Sequence, residues 1–364
     1  MLSIPVTAED VTPDWLNRAL SDHLGQTRVM GCQARLSDTP GQTAEIVLID
    51  LNYSEPNDLP SRLVAKITSF NQDVLDNVIA HYDQYYRETS FYREIPDVGI
   101  SVPRCLYEDH NPDTQAFIIL MQDLAPAESP SWAISTDEVI MALQALPAFH
   151  ARWWNNPDLR TKDWMVQFDN WAFFEAATSA ATAARDTLTQ HYGTEGELSI
   201  ELMAATLEHF DAVLAFTSSR PYTFVHGDYH AKQMFFPTKS GGSFTVIDWQ
   251  FPFVAQGAWD FARLEAMCLE TDARRTHERS LLEDYLIGLK SGGVTEYEMG
   301  DLEADYRMGL TISQMIMSIG HGDTDVRLLQ EECSSLGVDW RDAMLLRTQR
   351  AIEEWDVIGF IKTL

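Results

Sequence analysis

The chain has 364 residues, of which 45% are apolar, and a formal net charge of −29 at pH 7. That length allows one large or two modest domains with a packed core. The acidic balance argues against a nucleic-acid partner, since a phosphate backbone requires a basic surface, and its simplest explanation is a solubilising exterior. No apolar run approaches the roughly 20 residues that span a bilayer, so we expect no membrane segment.

Two features predict a cytoplasmic location. The N-terminus begins Met-Leu-Ser-Ile-Pro-Val and lacks the basic start and apolar core of a signal peptide. The four cysteines are widely spaced and form no Cys-x-x-Cys pair, which is typical of reduced thiols rather than of a disulfide or zinc framework.

The first third of the chain is predicted to form a sheet with few helices. A short amphipathic helix is expected over 12–24, with Thr12 as its N-cap and Pro13 at its first position. Runs of apolar and β-branched residues, separated by turn residues, then predict five strands. These strands are expected at 28–36, 44–53, 61–67, 102–107 and 116–121.

Lys66 lies inside an otherwise apolar strand, and lysine is rarely buried unless it is paired. The segment after that strand repeats at helical spacing and predicts one mostly apolar face that includes Glu88. That face consists of Val74, Val78, His81, Tyr85, Glu88 and Tyr92. We therefore predict an ion pair between Lys66 and Glu88. The alternative is that Lys66 extends to solvent and Glu88 lies at the edge of the apolar face.

A connector rich in Ala and Pro follows residue 123, and we place the domain boundary there, with domains at 1–123 and 124–364. The second domain is predicted to be mostly helical, with helices over 136–155, 281–290, 296–318 and 340–362. The aromatic residues in 153–171 suit either a core or a binding pocket.

The strongest chemical signal lies in 224–250. His226, Asp228 and His230 precede two short apolar strands that a Gly-rich turn joins, and Asp248 follows them. Two carboxylates at the ends of a hairpin can hold a divalent cation and still provide a base, as phosphoryl transfer requires. Alternatively, the alternating His226, Asp228 and His230 would ligate a transition metal if they lay on an extended strand. Gly227 favours a loop instead.

The run His226-Gly-Asp-Tyr-His230, together with Ile247-Asp-Trp249, resembles the motifs of the aminoglycoside phosphotransferase and choline kinase-like superfamily, and most closely its ecdysteroid kinase-like branch. The family pattern is His-Gly-Asp-x-His-x-x-Asn, and Gln233 stands here in place of Asn. The resemblance covers about 28–270 and implies an α+β fold of the two-lobed protein-kinase type. It also implies a nucleotide loop within 37–43 and a hinge whose main-chain groups, at Gln122 and Leu124, bind adenine.

The same resemblance implies an ATP-dependent kinase that phosphorylates a hydroxyl of a small molecule. Asp228 would orient and deprotonate the acceptor hydroxyl. His226, His230 and Asp260 would brace the catalytic loop. From the sequence alone, Asp228→Ala is expected to abolish activity with little loss of folding.

On the nucleotide side, the resemblance implies that Asp248 carries Mg²⁺ with Gln233 as the second ligand. Gln233 offers the same amide oxygen as Asn on a longer arm. Lys66, held by Glu88, would bind the α- and β-phosphates.

Three alternatives remain open at this point. The chain could bind a nucleotide or metabolite without catalysis, with the change at Gln233 as the reason. It could use GTP as the donor. It could also be a metal-dependent hydrolase built on His226, Asp228 and His230. The identity of the acceptor and the oligomeric state do not follow from the sequence.

Overall fold

The computed structural model describes residues 2–38, 41, 43–79, 82–323 and 326–364. The chain divides into two compact units. The first unit comprises Met1–Asp97, Ser101–Glu128 and Pro237–Phe251, and the second comprises Val98–Ile100, Ser129–Phe236 and Pro252–Leu364. The sequence predicts one boundary near residue 123, whereas the observed units are discontinuous.

The first unit contains a five-stranded antiparallel sheet with the order β1-β2-β3-β5-β4. All five predicted strands are present, and their ends differ from the prediction by a few residues. The strands are β1 Val29–Leu36, β2 Ala44–Tyr53, β3 Arg62–Thr68, β4 Cys105–Asn111 and β5 Ala116–Gln122.

Strand β5 has a packed core on each of its faces, because successive side chains of a strand point in opposite directions. Leu120 belongs to a buried cluster with Trp15, and Ile119 belongs to a second cluster with Tyr85. This arrangement explains why β5 is a continuous apolar run rather than an alternating one.

The predicted N-terminal helix is two short helices, α1 Pro13–Ala19 and α2 Ser21–Leu24. Thr12 is the N-cap, as predicted: its hydroxyl accepts a hydrogen bond from the backbone N–H of Trp15 at 3.2 Å.

The segment that carries Glu88 is not one continuous helix, contrary to the prediction. A helical turn at Gln72–Val74 continues as a π-helix at Leu75–Ile79, and a separate helix, α3, spans Gln84–Glu94. The break before α3 coincides with Asp83, whose φ is 51°. His81, which was predicted to lie on the same helical face, is outside the described residues.

The second unit is mostly helical. Helix α4, Thr136–Arg152, begins at a capping box in which Ser135 and Glu138 bond each other's backbone N–H groups. The later helices are α5 Trp171–Ala183, α6 Arg185–Tyr192, α7 Glu197–Glu208, α8 Phe210–Ser219, α9 Ala258–Cys268, α10 Thr271–Ser291, α11 Met299–Asp323, α12 Val326–Ser335, α13 Arg347–Glu354 and α14 Val357–Thr363.

The predicted helix over 340–362 is interrupted. It consists of a π-helix at Asp342–Leu346 followed by α13 and α14, which are separated at Asp356, where φ is 47°. In the aromatic segment, Trp164 and Phe168 are buried in the core, whereas Trp171 is 59% exposed.

Short strands lead into and out of the central motif. The second unit holds a three-stranded sheet in the order β6-β10-β7, formed by Val166–Gln167, Phe253–Ala255 and Thr223–Val225. The two strands predicted after the motif are observed as β8, Met234–Phe235, and β9, Thr245–Val246. Among the described residues, no helix has both the length and the apolar character that crossing a membrane requires.

Candidate active site

Lys66 of β3 is the centre of an ion-pair triad in the first unit. Its Nζ donates to both carboxylate oxygens of Glu88, at 2.8 and 2.7 Å, and to Oδ1 of Asp248 at 2.7 Å. The predicted pair with Glu88 is therefore present, and Glu88 is buried in α3. The contact between Lys66 and Asp248 was not anticipated.

The triad contains one cation and two carboxyl groups, so it carries one excess negative charge whenever both carboxyl groups are ionised. Burial lowers the pKa of Lys66, but the charges of Asp248 and Glu88 outweigh it and raise that pKa, so the ammonium remains charged. Burial raises the pKa of Glu88 to about 7, although Lys66 opposes the shift. An additional cation beside these carboxylates would relieve that imbalance.

Asp248 has a left-handed backbone conformation, with φ at 67°. Asp adopts this conformation more readily than most residues, and residues in it cluster at active sites and ligand-binding positions. The Nε2 of Gln250 donates to Oδ2 of Asp248 at 3.2 Å, and the Oε1 of Gln250 accepts from the hydroxyl of Thr43 at 3.0 Å. Trp249 lies between Asp248 and Gln250 in the sequence. Its ring stacks on the ring of Phe91 in α3, with 4.3 Å between the ring centroids. These contacts hold Asp248 in place from several directions.

The loop predicted to be catalytic, which begins at His226, lies in the second unit directly after β7. Gly227 has φ at 80°, a conformation that glycine adopts without steric cost. The carboxylate of Asp260 accepts hydrogen bonds from the backbone N–H groups of His226, at 2.7 Å, and of Gly227, at 2.9 Å. His150 lies 3.4 Å from the same carboxylate and bonds the hydroxyl of Tyr285 through its other ring nitrogen. The first turn of α9 thus fixes the backbone of the loop.

Both carboxylate oxygens of Asp228 have side-chain partners. Oδ1 accepts from Nε of Arg263 at 3.0 Å and from Nη2 at 2.5 Å. Oδ2 accepts from Nε2 of Gln233 at 3.1 Å, and Nε2 of His230 lies 3.2 Å from it. Burial alone would raise the pKa of Asp228, but His230 and Arg263 outweigh that effect and hold the pKa well below its usual range.

In each of the two motif histidines, His226 and His230, the ring nitrogen Nδ1 accepts a hydrogen bond from a backbone N–H group. The N–H of Lys232 donates to Nδ1 of His230 at 3.2 Å, and the N–H of Asp228 donates to Nδ1 of His226 at 3.3 Å. Each Nδ1 is therefore an unprotonated acceptor, which assigns the proton of a neutral ring to Nε2. For His230, this tautomer directs an N–H donor at Asp228.

These contacts do not favour the metal-dependent hydrolase. Within the ranges that the structure covers, no three His, Cys, Asp or Glu side chains are arranged to hold a metal ion. His226, Asp228 and His230 all belong to those ranges. The segment that carries them is a series of bends rather than the extended strand on which that alternative depends.

The predicted adenine-binding residues, Gln122 and Leu124, follow the end of β5. The N–H of Gln122 donates to the carbonyl of Arg104 at 3.0 Å, and the carbonyl of Leu124 accepts from the N–H of Ala127 at 3.0 Å. In the predicted nucleotide loop, residues 39, 40 and 42 lie outside the described residues.

The predicted site residues therefore fall into two groups. One group, in the first unit, comprises Lys66, Glu88, Asp248, Gln122 and Leu124, and the other, in the second unit, comprises His226, Asp228, His230, Gln233 and Asp260. The sequence analysis missed Arg263 and Gln250. The sequence does contain an indication of Arg263. It lies three residues after Asp260, and the other residues at the start of this helix are apolar.

The model of the ecdysteroid kinase-like family matches residues 43–292, more than half of the chain. Among solved structures, a candidate aminoglycoside phosphotransferase from Ralstonia eutropha aligns with a TM-score of 0.52 at 13% identity, covering 94% of this chain and 97% of its own. The choline kinase of Streptococcus pneumoniae aligns with a TM-score of 0.48 at 13% identity, covering 94% of this chain and 98% of its own. No curated protein sequence matches the chain. The first of these structural matches shows that the chain has the kinase-like α+β fold.

Proposed function

Because the chain belongs to the ecdysteroid kinase-like family, we propose that it is a small-molecule kinase that transfers the γ-phosphoryl group of ATP to a hydroxyl of its acceptor. The observation that carries this proposal is the buried Lys66, which is paired with Glu88 and Asp248. A lysine fixed between a helix glutamate and a motif aspartate is the arrangement that binds nucleotide phosphates in kinases. The four cysteines are free thiols, which fits the predicted cytoplasmic location.

Lys66 would bind the α- and β-phosphates, and Glu88 would keep its ammonium directed toward them. The chain has 26 basic residues against 55 acidic ones, so little other positive charge is available for a triphosphate. Lys66 must therefore supply much of the attraction that this chain offers to the nucleotide. The main-chain groups of Gln122 and Leu124 would bind adenine, as the family resemblance implies.

Taken one at a time, the two side chains that the family resemblance assigns to a magnesium ion carry suitable donor atoms. Asp248 and Gln233 would hold it through carboxylate and amide oxygens, the donors that Mg²⁺ prefers. Two observations support this assignment: the triad of Lys66, Glu88 and Asp248 has an excess negative charge, and Gln233 bonds Asp228 through its Nε2, which leaves Oε1 for a cation. When bound, magnesium would neutralise charge on the phosphates.

In the transfer itself, the acceptor oxygen forms a bond to the γ-phosphorus as the bond to the β,γ-bridging oxygen breaks. Asp228 would accept the hydrogen bond of the acceptor hydroxyl and take its proton. The low pKa of Asp228 makes it a weak base. A weak base suits a loose transition state, in which orienting the hydroxyl matters more than removing its proton early.

The remaining motif residues would keep Asp228 in position. Asp260 holds the loop backbone at His226 and Gly227, and His230 donates from Nε2 toward Asp228. These contacts are the basis for assigning His226, His230 and Asp260 as bracing residues rather than as groups that react.

A thermal-shift titration with ATP and GTP, each with and without Mg²⁺, tests the proposal, because a ligand that binds only the folded protein raises the melting temperature. We expect a shift with ATP that grows with Mg²⁺. In Asp248→Asn the Mg²⁺-dependent increase in the shift should disappear, while Asp272→Asn, on an exposed carboxylate that pairs with Arg275, should behave as wild type. The absence of a shift with either nucleotide would overturn the proposed kinase.

A second candidate function is nucleotide binding without catalysis. The observation that favours it is Gln233, which stands where the family has Asn and donates its amide to Asp228. This candidate would be supported over an active kinase if the nucleotide raised the melting temperature of wild type equally with and without Mg²⁺. In Gln233→Asn the same rise should then depend on Mg²⁺.

A further inference from the structure

Helix α9 contacts the catalytic loop at two points. Asp260 binds the backbone N–H groups of His226 and Gly227, and Arg263 binds the side chain of Asp228. Residues three apart lie on the same side of a helix, so one face of α9 holds both the loop backbone and its carboxylate.

The position of Arg263 is unfavourable for a purely structural residue. Its side chain is 6% exposed, and within the described part of the chain its Nη1 has no hydrogen-bond partner. Burying a charged group with unsatisfied donors costs free energy, and a buried ion pair contributes little net stability compared with well-packed apolar residues. The residues around it in α9 are buried, so an apolar side chain would suit the helix equally well. The benefit of the guanidinium must therefore lie in what it does to Asp228.

The two carboxylate oxygens of Asp228 have different hydrogen-bond partners. Two donors of one charged guanidinium occupy Oδ1, whereas the donors at Oδ2 are the amide of Gln233 and the ring of His230, at 3.1 and 3.2 Å. Two donors on one rigid guanidinium hold Oδ1 more firmly than two separate side chains, at longer distances, hold Oδ2. A carboxylate has about four acceptor positions, and all four are in use here. An incoming hydroxyl can therefore bind only by replacing a weaker donor, which means binding at Oδ2.

We propose that Arg263 is a positioning residue for phosphoryl transfer: its fork on Oδ1 fixes the orientation of the Asp228 carboxylate and reserves Oδ2 for the acceptor hydroxyl. This inference rests on the proposed kinase function. It also assigns Gln233 and His230 as the donors that exchange with the hydroxyl.

The test compares wild type with Arg263→Lys, which keeps the charge but loses the fork, and Arg263→Ala, which loses both. Arg274→Gln is the matched control, because Arg274 is equally buried but pairs with Glu278 and Glu354 instead of Asp228. Phosphate release from Mg·ATP, with water as the acceptor, gives the rate, and the thermal shift with Mg·ATP gives binding. Crystal structures of wild type and Arg263→Ala give the orientation of Asp228 independently of any turnover.

We expect both Arg263 variants to bind Mg·ATP as wild type does and to release phosphate about 10- to 100-fold more slowly, the range for losing hydrogen bonds to a charged group. Millimolar guanidinium chloride should restore part of the rate in Arg263→Ala and should leave the rate of Arg274→Gln unchanged. In the crystal structure of Arg263→Ala the carboxylate of Asp228 should be rotated.

Unchanged rates in both variants, or an unrotated Asp228 carboxylate in Arg263→Ala, would overturn the role of Arg263 while leaving the kinase proposal intact. Failure of wild type to bind Mg·ATP would instead overturn the proposed function, so the two failures are distinguishable.

Discussion

The ammonium of Lys66 lies 2.7 Å from Oδ1 of Asp248, although 182 residues separate the two in sequence. The contact exists because Pro237–Phe251 clusters with the N-terminal sheet rather than with the helices on either side of it in sequence. The residue proposed to bind phosphate and the residue proposed to bind metal are thus already linked within one unit. The first of four predictions concerns this pair, and the other three concern residues of the second unit.

Lys66→Met should lower the free energy of unfolding by about 3–5 kcal/mol, because it leaves the carboxylates of Glu88 and Asp248 close together without their cation. It should also abolish the thermal shift with ATP. Urea denaturation measures the first effect, and nucleotide titration measures the second.

Lys290→Met is the control for this prediction. Lys290 pairs with Glu298 on the exposed surface, so its loss should change stability by less than about 1 kcal/mol. Equal effects of the two substitutions would show that the triad at Lys66 has no special role in stability.

Asp228→Ala should destabilise the protein by about 3–5 kcal/mol, because it leaves the buried guanidinium of Arg263 without a carboxylate. This differs from the expectation drawn from sequence alone, in which Asp228→Ala loses activity with little loss of folding. Asp228→Asn keeps an oxygen for Arg263 and should lose turnover at a smaller cost in stability, about 1–3 kcal/mol. Chemical denaturation of both variants decides the matter: if Asp228→Ala were as stable as wild type, the contact with Arg263 would be unimportant for folding.

Gly227→Ala should destabilise the protein by about 1–2 kcal/mol, because φ at 80° places a Cβ in conflict with the backbone. The strain should also disturb the hydrogen bonds from the loop to Asp260, so turnover should fall more than stability suggests. Gly300→Ala is the matched control: a Cβ there has no neighbouring atom within 4 Å, and alanine in a helix should be neutral or slightly stabilising. Similar losses of stability in both variants would argue against strain at Gly227.

Glu265, in the buried helix α9, should make stability depend on pH. Burial, assisted by the charge of Glu278, raises its pKa to about 8, while Tyr306 and Arg274 act in the opposite direction. The unfolded pKa is near 4.5. Between these values the folded protein holds a proton that the unfolded chain has released. The stabilising contribution of Glu265 to the free energy of unfolding is therefore fully present below pH 4.5. It decreases as the pH rises and changes no further above pH 8.

Glu265→Gln should remove this dependence on pH. The free energy of unfolding of the variant, relative to that of wild type, should therefore rise by up to about 1.4 kcal/mol for each pH unit between 6 and 8. Denaturation curves at several pH values measure the difference, and Glu353→Gln, at an exposed position, serves as the control. A constant difference between Glu265→Gln and wild type at all pH values would contradict a raised pKa.

The pair of Lys66 and Glu88 shows how far sequence reasoning reaches. The apolar surroundings of Lys66 and the inward position of Glu88 predicted the ion pair correctly. The helix itself was predicted as continuous and is broken at Asp83. The predicted ion pair is nevertheless correct because Tyr85, Glu88 and Tyr92 all lie within α3, where residues three and four apart share one face.

The sequence by itself determined the family and the five strands of the first sheet, since local periodicity, turn residues and short motifs carry that information, and it predicted the residues proposed for catalysis and metal binding. The tertiary structure decided which charges meet. Asp248 reaches Lys66, and Arg263 reaches Asp228, only after distant segments pack together. Long-range contacts of this kind depend on how buried surfaces pack and on which buried charges pair with each other. The spacing of residues along the chain does not determine either one.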